Sequence, residues 1–449
     1  MLTDLERKEI LQLLHEQVVP AIGCTEPMAV ALCVAKATEQ LGQTPEHLEL
    51  RLSANILKNA MGVGIPGTGM VGLPIAVALG ALIGKSEYGL EVLRDCTPEA
   101  VAQSKQFISE NRIHIALETN DPDKLFIHVT ATAGTQSAQA CIKGSHTNFV
   151  DKEVAPYSAP EGATDVQSPN SNTTEAPSGA VGGATPSGAV GGASPLLSLR
   201  KVYDFATEMP LDDIRFILEA KRLNSAAAAA GLKENYGHKL GKTMCSPLGR
   251  GIMGDSIFSK ILSITSCACD ARMAGAMIPV MSNSGSGNQG ICATMPVVVF
   301  AEENHNTEEE LIRALVISNL TAIYIKQTLG TLSALCGCVV ASTGSSCGIT
   351  YLMGGSYEQI SFAVKNMIAN LTGMICDGAK PSCALKLTTG VSTAVMSAML
   401  AIKNNVVTSA EGIIDDDVDR SIRNLTSIGS RGMDETDRFV LDIMTHKGC

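Results

Sequence analysis

Met281-Ser282-Asn283-Ser284-Gly285-Ser286-Gly287-Asn288-Gln289-Gly290 is a polar loop set inside residues 273–301, a run with no Asp, Glu, Lys or Arg. Residues 59–84 and 327–357 share that property. Each run is long enough to cross a bilayer. Together, however, they are dense in Gly, Ser, Thr, Asn and Pro, lack Trp/Tyr belts, and have no flanking Lys/Arg clusters to set an orientation. They therefore read as buried segments of a soluble protein with no membrane partner. The density of hydroxyl and amide side chains in the loop exceeds what a structural turn needs. Such side chains and backbone N–H groups can grip a carboxylate in a dry pocket. Asn283, Ser284, Ser286, Gly287 and Asn288 are the candidate substrate-binding residues.

The sequence around this loop is helical in pattern. From residue 198 onward, 211–240, 308–329, 357–374 and 389–403 carry apolar residues at helical spacing, with Gly or Pro between them. The first 150 residues are mixed. Residues 3–19 read as an amphipathic helix stopped by Pro20, with Thr3 and Glu6 spaced as a capping box. Residues 27–37 read as a buried helix, and 62–74 as a Gly-rich loop leading into an apolar helix that ends at Gly84. Residues 48–53, 124–132 and 137–143 read as strands. The expected fold class is α+β: a mixed α/β N-terminal domain at 1–154, then a mostly α-helical domain at 197–449. Between them, residues 155–196 are a low-complexity flexible insertion, in which residues 177–184 recur as 186–193.

Composition limits the function classes. A chain of 449 residues with 45% hydrophobic and 18% charged residues can build a large core. Aromatics make up only 4% and there are 42 Gly, which suits closely packed helices lined with small residues. A net charge of −11 without a basic stripe argues against a nucleic-acid partner. No export signal is visible, so a cytoplasmic location is expected, with the 14 Cys reduced. They then read as structural thiols, metal ligands or catalysts. Self-association into a homo-oligomer is left open.

Two cysteine motifs stand out. The first is Cys336-Gly337-Cys338, followed by Cys376-Asp377-Gly378-Ala379-Lys380-Pro381-Ser382-Cys383. Gly378 and Pro381 force a loop, and thiolates on a loop can converge on an iron–sulfur cluster. Zinc ligand pairs are usually closer together. Cys267, Cys269, Cys292 and Cys347 read as small buried hydrophobes. The second motif is Gly23-Cys24-Thr25-Glu26-Pro27 at the start of a helix. There the dipole is expected to lower the thiol pKa and make Cys24 a base or nucleophile; a Thr25 cap beside a silent cysteine is the alternative. Lys58 to Gly69 is a Gly-rich loop without the Walker pattern. It reads as a cover over the substrate.

Ser286-Gly287-Asn288-Gln289-Gly290 resembles the loop of pyridoxal-phosphate-dependent amino-acid dehydratases, with Lys260 upstream where their Schiff-base lysine would stand. The flanking sequence lacks strand–helix alternation, so this reading ranks second. Taken together, Gly23-Cys24-Thr25-Glu26-Pro27-Met28, Ser282 to Gly290, Leu335-Cys336-Gly337-Cys338, Met374-Ile375-Cys376-Asp377 and Pro381-Ser382-Cys383 resemble the L-cysteine desulfidase family, related to the α-chain of iron–sulfur L-serine dehydratases. The resemblance covers nearly the whole chain outside 155–196.

The resemblance implies a serine-dehydratase-α-like helical domain and a [4Fe-4S] cluster held by three cysteines. It implies conversion of a small amino-acid substrate, L-cysteine, to pyruvate, ammonia and hydrogen sulfide. By motif match Cys376 and Cys383 are ligands. The third is Cys336 or Cys338, with Cys336 preferred. Cys24 falls on the family's proposed catalytic cysteine. Cys-Thr-Glu-Pro favours cysteine over serine as substrate, and an iron–sulfur L-serine dehydratase is the alternative. Lys386 reads as solvated, and Cys449 as an inert tail that could instead reach an open iron.

Overall fold

The computed structural model describes residues 2–119, 121, 123–150, 196–330 and 333–446; the low-complexity repeat and Cys449 lie outside them. The N-terminal elements are α1 (Asp4–Gln17), β1 (Pro20–Ala21), α2 (Thr25–Leu41), β2 (His47–Leu52), α3 (Ala54–Ala60), α4 (Leu73–Leu82), α5 (Pro98–Ser109), β3 (Ile113–Leu117), β4 (Phe126–Ala133) and β5 (Gln136–Lys143). The rest is α6 (Leu199–Glu208), α7 (Leu211–Ile214), α8 (Leu218–Lys233), α9 (Leu240–Cys245), α10 (Pro247–Met253), α11 (Ile257–Met273), β6 (Val280–Met281), α12 (Gly287–Glu303), α13 (Glu308–Leu329), α14 (Gly337–Leu352), α15 (Tyr357–Leu371), α16 (Cys383–Ile402), α17 (Val418–Ser427) and α18 (Asp434–His446). The fold is α+β with a helical C-terminal region.

Sequence signals act locally as expected. Thr3 and Glu6 form a reciprocal capping box on α1. β4 and β5 pair antiparallel across the turn at Gly134. The sheet order is β3-β2-β4-β5, with β3 parallel to β2. β3 and α5 carry too weak a pattern to be read from sequence: β3 has no buried residue along its length. The expected helix at 211–240 is broken. It comprises α7, a tight 3₁₀ turn at Arg215–Ile217, and α8, which stops at Lys233.

The three uncharged runs become the interior. They supply α4, α12 and α14, of 10, 17 and 16 residues, almost wholly buried. Only α16 among the described helices is long and apolar enough to cross a membrane, and half of its apolar window is buried inside the protein. α14 packs against α12, α13, α15 and α16, so the helical region is built around it.

Small residues let the helices approach closely. A Cβ at Gly80 of α4 would stand 2.7 Å from the Ala31 carbonyl oxygen and 3.1 Å from its Cα on α2, the helix that begins beside Cys24. Alanine would gain about 1 kcal/mol of helix propensity, but overpacking a tight core costs about 1–3 kcal/mol. Backbone cannot swing away as a side chain can, so the collision wins. Gly80→Ala is expected to lower stability by about 1–2 kcal/mol, read as an earlier denaturant midpoint with an unchanged slope.

Candidate active site

Two short strand pairings assemble the site. β1 lies just before Gly23-Cys24 and β6 just before Ser282. They pair antiparallel, Pro20 with Met281 and Ala21 with Val280. Two motifs more than 250 residues apart are thereby laid side by side. The Ser282 N–H donates to Val19 O at 2.8 Å, and Thr25 Oγ1 donates to Gly285 O at 2.9 Å. The second pairing is the bridge between Leu335 and Ile375. Cys336 N–H donates to Met374 O at 2.9 Å and Cys376 N–H to Ala334 O at 2.6 Å. Cys383 is the first residue of α16, and its thiol lies 3.6 Å from Gly378 O.

Cys24 is the N-cap of α2 and is buried. Its thiol donates to Glu26 Oε2 at 3.0 Å. The expectation of a lowered pKa is corrected here. Burial, then the Glu26 carboxylate, push the thiol well above its ordinary value, and the Arg272 cation only partly opposes them. Desolvation and a like charge outweigh the helix dipole.

The polar loop is largely held by the protein itself. The Asn283 amide donates to Asn319 O at 3.1 Å and Oδ1 at 3.0 Å on α13. Ser284 Oγ donates to Asn283 Oδ1 at 2.9 Å. Ser286 caps α12, accepting from Gln289 N–H at 3.4 Å. Arg272 at the end of α11 donates to Asn288 Oδ1 at 3.0 Å and to Gly23 O at 2.9 Å, tying the loop to the Cys24 motif. A Cβ at Gly287 would collide with the Arg272 guanidinium, so this glycine makes room for the cation rather than contacting a ligand by side chain.

Cys336, Cys376 and Cys383 influence one another electrostatically. Burial pushes Cys376 up and Cys383 to about 11; a hydrogen bond with Cys338, then burial, pushes Cys336 up. Cys338 turns into the core toward Cys292, whose thiol also meets Ser342 at 3.1 Å. Among the described residues no three His, Cys, Asp or Glu side chains are grouped to hold a single metal ion. A polynuclear cluster spaces its thiolates more widely than one ion does, so this does not bear against it.

The donor set and its surroundings fit an anionic iron–sulfur cluster. The N-termini of α14 and α16 begin at the thiols. The cations Lys58, Lys380 and Lys386 act electrostatically on them. Gln289 Oε1 is buried without a partner, and its side chain lies against Gly337 of the Cys336-Gly337-Cys338 motif.

Sequence reading assigned no role to Glu26, Arg272 or Lys326, and took Lys58 only as the start of a covering loop. Lys326, in the last turn of α13, lies within electrostatic reach of Cys376, Glu26 and Cys336. Burial lowers its pKa to about 8. Lys58 is 1% exposed and pairs with Asp437 of α18, while its Nζ also donates to Cys376 O at 3.5 Å. A usable signal existed: Lys58, Arg272 and Lys326 each stand immediately before one of the three uncharged runs. Lys260, the would-be Schiff-base lysine, pairs instead with Glu303 at 2.7 Å and is 41% exposed. Lys386, expected to be solvated, pairs with Asp377 and donates to Ile375 O at 2.7 Å. The Gly-rich loop does border the site: Gly64 N–H donates to Met273 O at 3.0 Å and Gly67 N–H to Gly275 O at 3.3 Å.

The profile of the serine dehydratase alpha chain matches residues 87–442. The chain belongs to this family. Membership suggests a lyase-type enzyme in a family linked to iron–sulfur chemistry. A UPF0597 protein of Bacteroides thetaiotaomicron is 66% identical over 99% of both chains. One of Bacteroides fragilis is 65% identical over the full length of both. One of Shewanella halifaxensis is 43% identical over 97% of this chain and 98% of its own.

Asp437→Asn would strip the buried Lys58 ammonium of its carboxylate. Breaking a buried pair from one side costs about 3–5 kcal/mol. A drop of that order in unfolding free energy is expected, and Lys58→Met in the same background should recover part of it.

Proposed function

We propose that this member of the serine dehydratase alpha chain family is an iron–sulfur-dependent L-cysteine desulfidase, releasing pyruvate, ammonia and hydrogen sulfide. The observation that carries the reading is the convergence of Cys336, Cys376 and Cys383, with the Cys24–Glu26 pair linked to them through Lys326. Those three thiols would hold a [4Fe-4S] cluster. Cys336 is preferred to Cys338 because it acts on both Cys376 and Cys383, whereas Cys338 acts on Cys383 and is also engaged with Cys292. Since burial keeps the thiols protonated, loading the site would release protons.

When bound, the cluster supplies an open Lewis-acidic iron for the leaving sulfur. The chain's own residues do the rest. Glu26 accepts the Cys24 thiol proton, leaving sulfur free to take the substrate α-proton. Arg272, fixed by Gly23 O and Asn288, places positive charge beside that sulfur. Asn283 and Asn288 hold the loop, and the hydroxyls of Ser284 and Ser286 border the substrate. The Gly62–Gly69 segment closes one side against water. The aminoacrylate product then tautomerises and hydrolyses in water unaided.

An iron–sulfur L-serine dehydratase is the second reading, favoured by the description of the matched family. In both readings the partner is a small amino acid rather than nucleic acid or a membrane, and the compartment is the cytoplasm. Strictly anaerobic protein offered L-cysteine or L-serine should release sulfide with pyruvate at the higher kcat/KM from cysteine. A clear preference for serine would replace the first reading with the second.

A further inference from the structure

We infer that Lys326 is the anchor for the substrate's carboxylate, an assignment that rests on the small-amino-acid reading above. Among the described residues its ammonium makes no hydrogen bond and no ion pair, although it directly follows residues 314–325 of α13, all of them buried. A cation in such a place is costly unless a negative partner reaches it. The other cations facing the site are already engaged. Lys58 is held by Asp437, Lys380 and Lys386 by Asp377, and Arg272 by Gly23 O and Asn288.

Its position also suits the task. Lys326 keeps some accessible surface although protein surrounds it. It reaches electrostatically to Glu26 as well as to Cys376 and Cys336. A substrate whose sulfur points to the thiol cluster and whose α-carbon faces Cys24 would bring its carboxylate between them. Lys326 also lies seven residues after Asn319, on the same face of α13. Asn319 grips Asn283, so one helix face carries both the loop support and the free ammonium.

The test uses two non-reacting fragments of cysteine on the anaerobic, iron-loaded protein. 3-Mercaptopropionate keeps the thiol and carboxylate; cysteamine keeps the thiol and amine. Calorimetric binding of both is compared for the wild type, Lys326→Met and Lys326→Arg. Losing a charge-assisted hydrogen bond should weaken 3-mercaptopropionate about 10–100-fold in Lys326→Met while leaving cysteamine unchanged. Lys326→Arg should keep most of the preference and serves as the comparison if the methionine variant does not fold. Equal loss of both fragments, or loss of iron in Lys326→Met, would reassign the lysine to holding the cluster and overturn the inference. An active wild type whose Lys326→Met variant still prefers the carboxylate fragment overturns it alone. A wild type that binds neither fragment and releases no sulfide overturns the functional reading with it.

Discussion

Cys383→Ala is expected to purify colourless, without bound iron or sulfide, and with lyase activity reduced by far more than about 100-fold, which is what loss of a mere outer-shell partner costs. The three thiols come from separate elements and converge through one backbone bridge and one helix start. Removing one leaves two donors, and alanine offers no replacement. The variant should still fold, because Cys383 is the half-buried first residue of α16 and alanine is a good helix former. Its thermal midpoint is therefore expected to match that of iron-free wild type. Full retention of iron with activity would remove Cys383 from the ligand set. Cys338→Ala, by contrast, should keep its iron while losing some stability, because that side chain fills core space against Cys292.

Cys24→Ala is expected to behave oppositely: full iron content and unchanged visible absorbance, but kcat lower by about 10²–10⁴-fold, the usual worth of a positioned acid–base group. More than a tenth of wild-type turnover would exclude Cys24 as the base. Glu26→Gln adds a sign test. The Glu26 negative charge helps hold the proton on sulfur and so raises the Cys24 pKa. Removing that charge should move the rising limb of kcat/KM, which follows formation of the thiolate, to lower pH, even as the lost proton acceptor lowers the maximum. An unmoved limb would mean that Cys24 titration does not shape the profile.

Much of the fold was legible because its signals are local. Thr3 and Glu6 cap a helix three residues apart, the 308–329 periodicity matches α13 to the residue, and Gly134 turns one strand into the next. β3 escaped because its residues are half-exposed and its partner β2 precedes it by some sixty residues of helix and loop. The break between α7 and α8 escaped because a 3₁₀ turn keeps nearly the same apolar spacing as the helices it separates.

The site divides along the same line. Residue types could be read: Cys24, Cys336, Cys376 and Cys383 have the chemistry for a base and for soft metal ligands, and the 282–290 loop has the polarity of a binding turn. What those residues experience could not. The acidity of Cys24 was expected from its helix position, yet burial and Glu26 reverse the sign. The surroundings of Cys336 and Cys338 were equally hidden: Cys336 acts on Cys376, while Cys338 acts on Cys292 as well as on Cys336 and Cys383.

By itself, then, the sequence determined the α+β class, the burial of its uncharged runs and the inventory of thiols, because propensity, patterning and donor chemistry belong to residues and their near neighbours. Only the tertiary structure decided that β1 meets β6, that Leu335 meets Ile375, and that Arg272 and Lys326 stand as buried charges beside the thiols. Those facts depend on contacts between distant segments and on desolvation, which no local stretch of chain encodes.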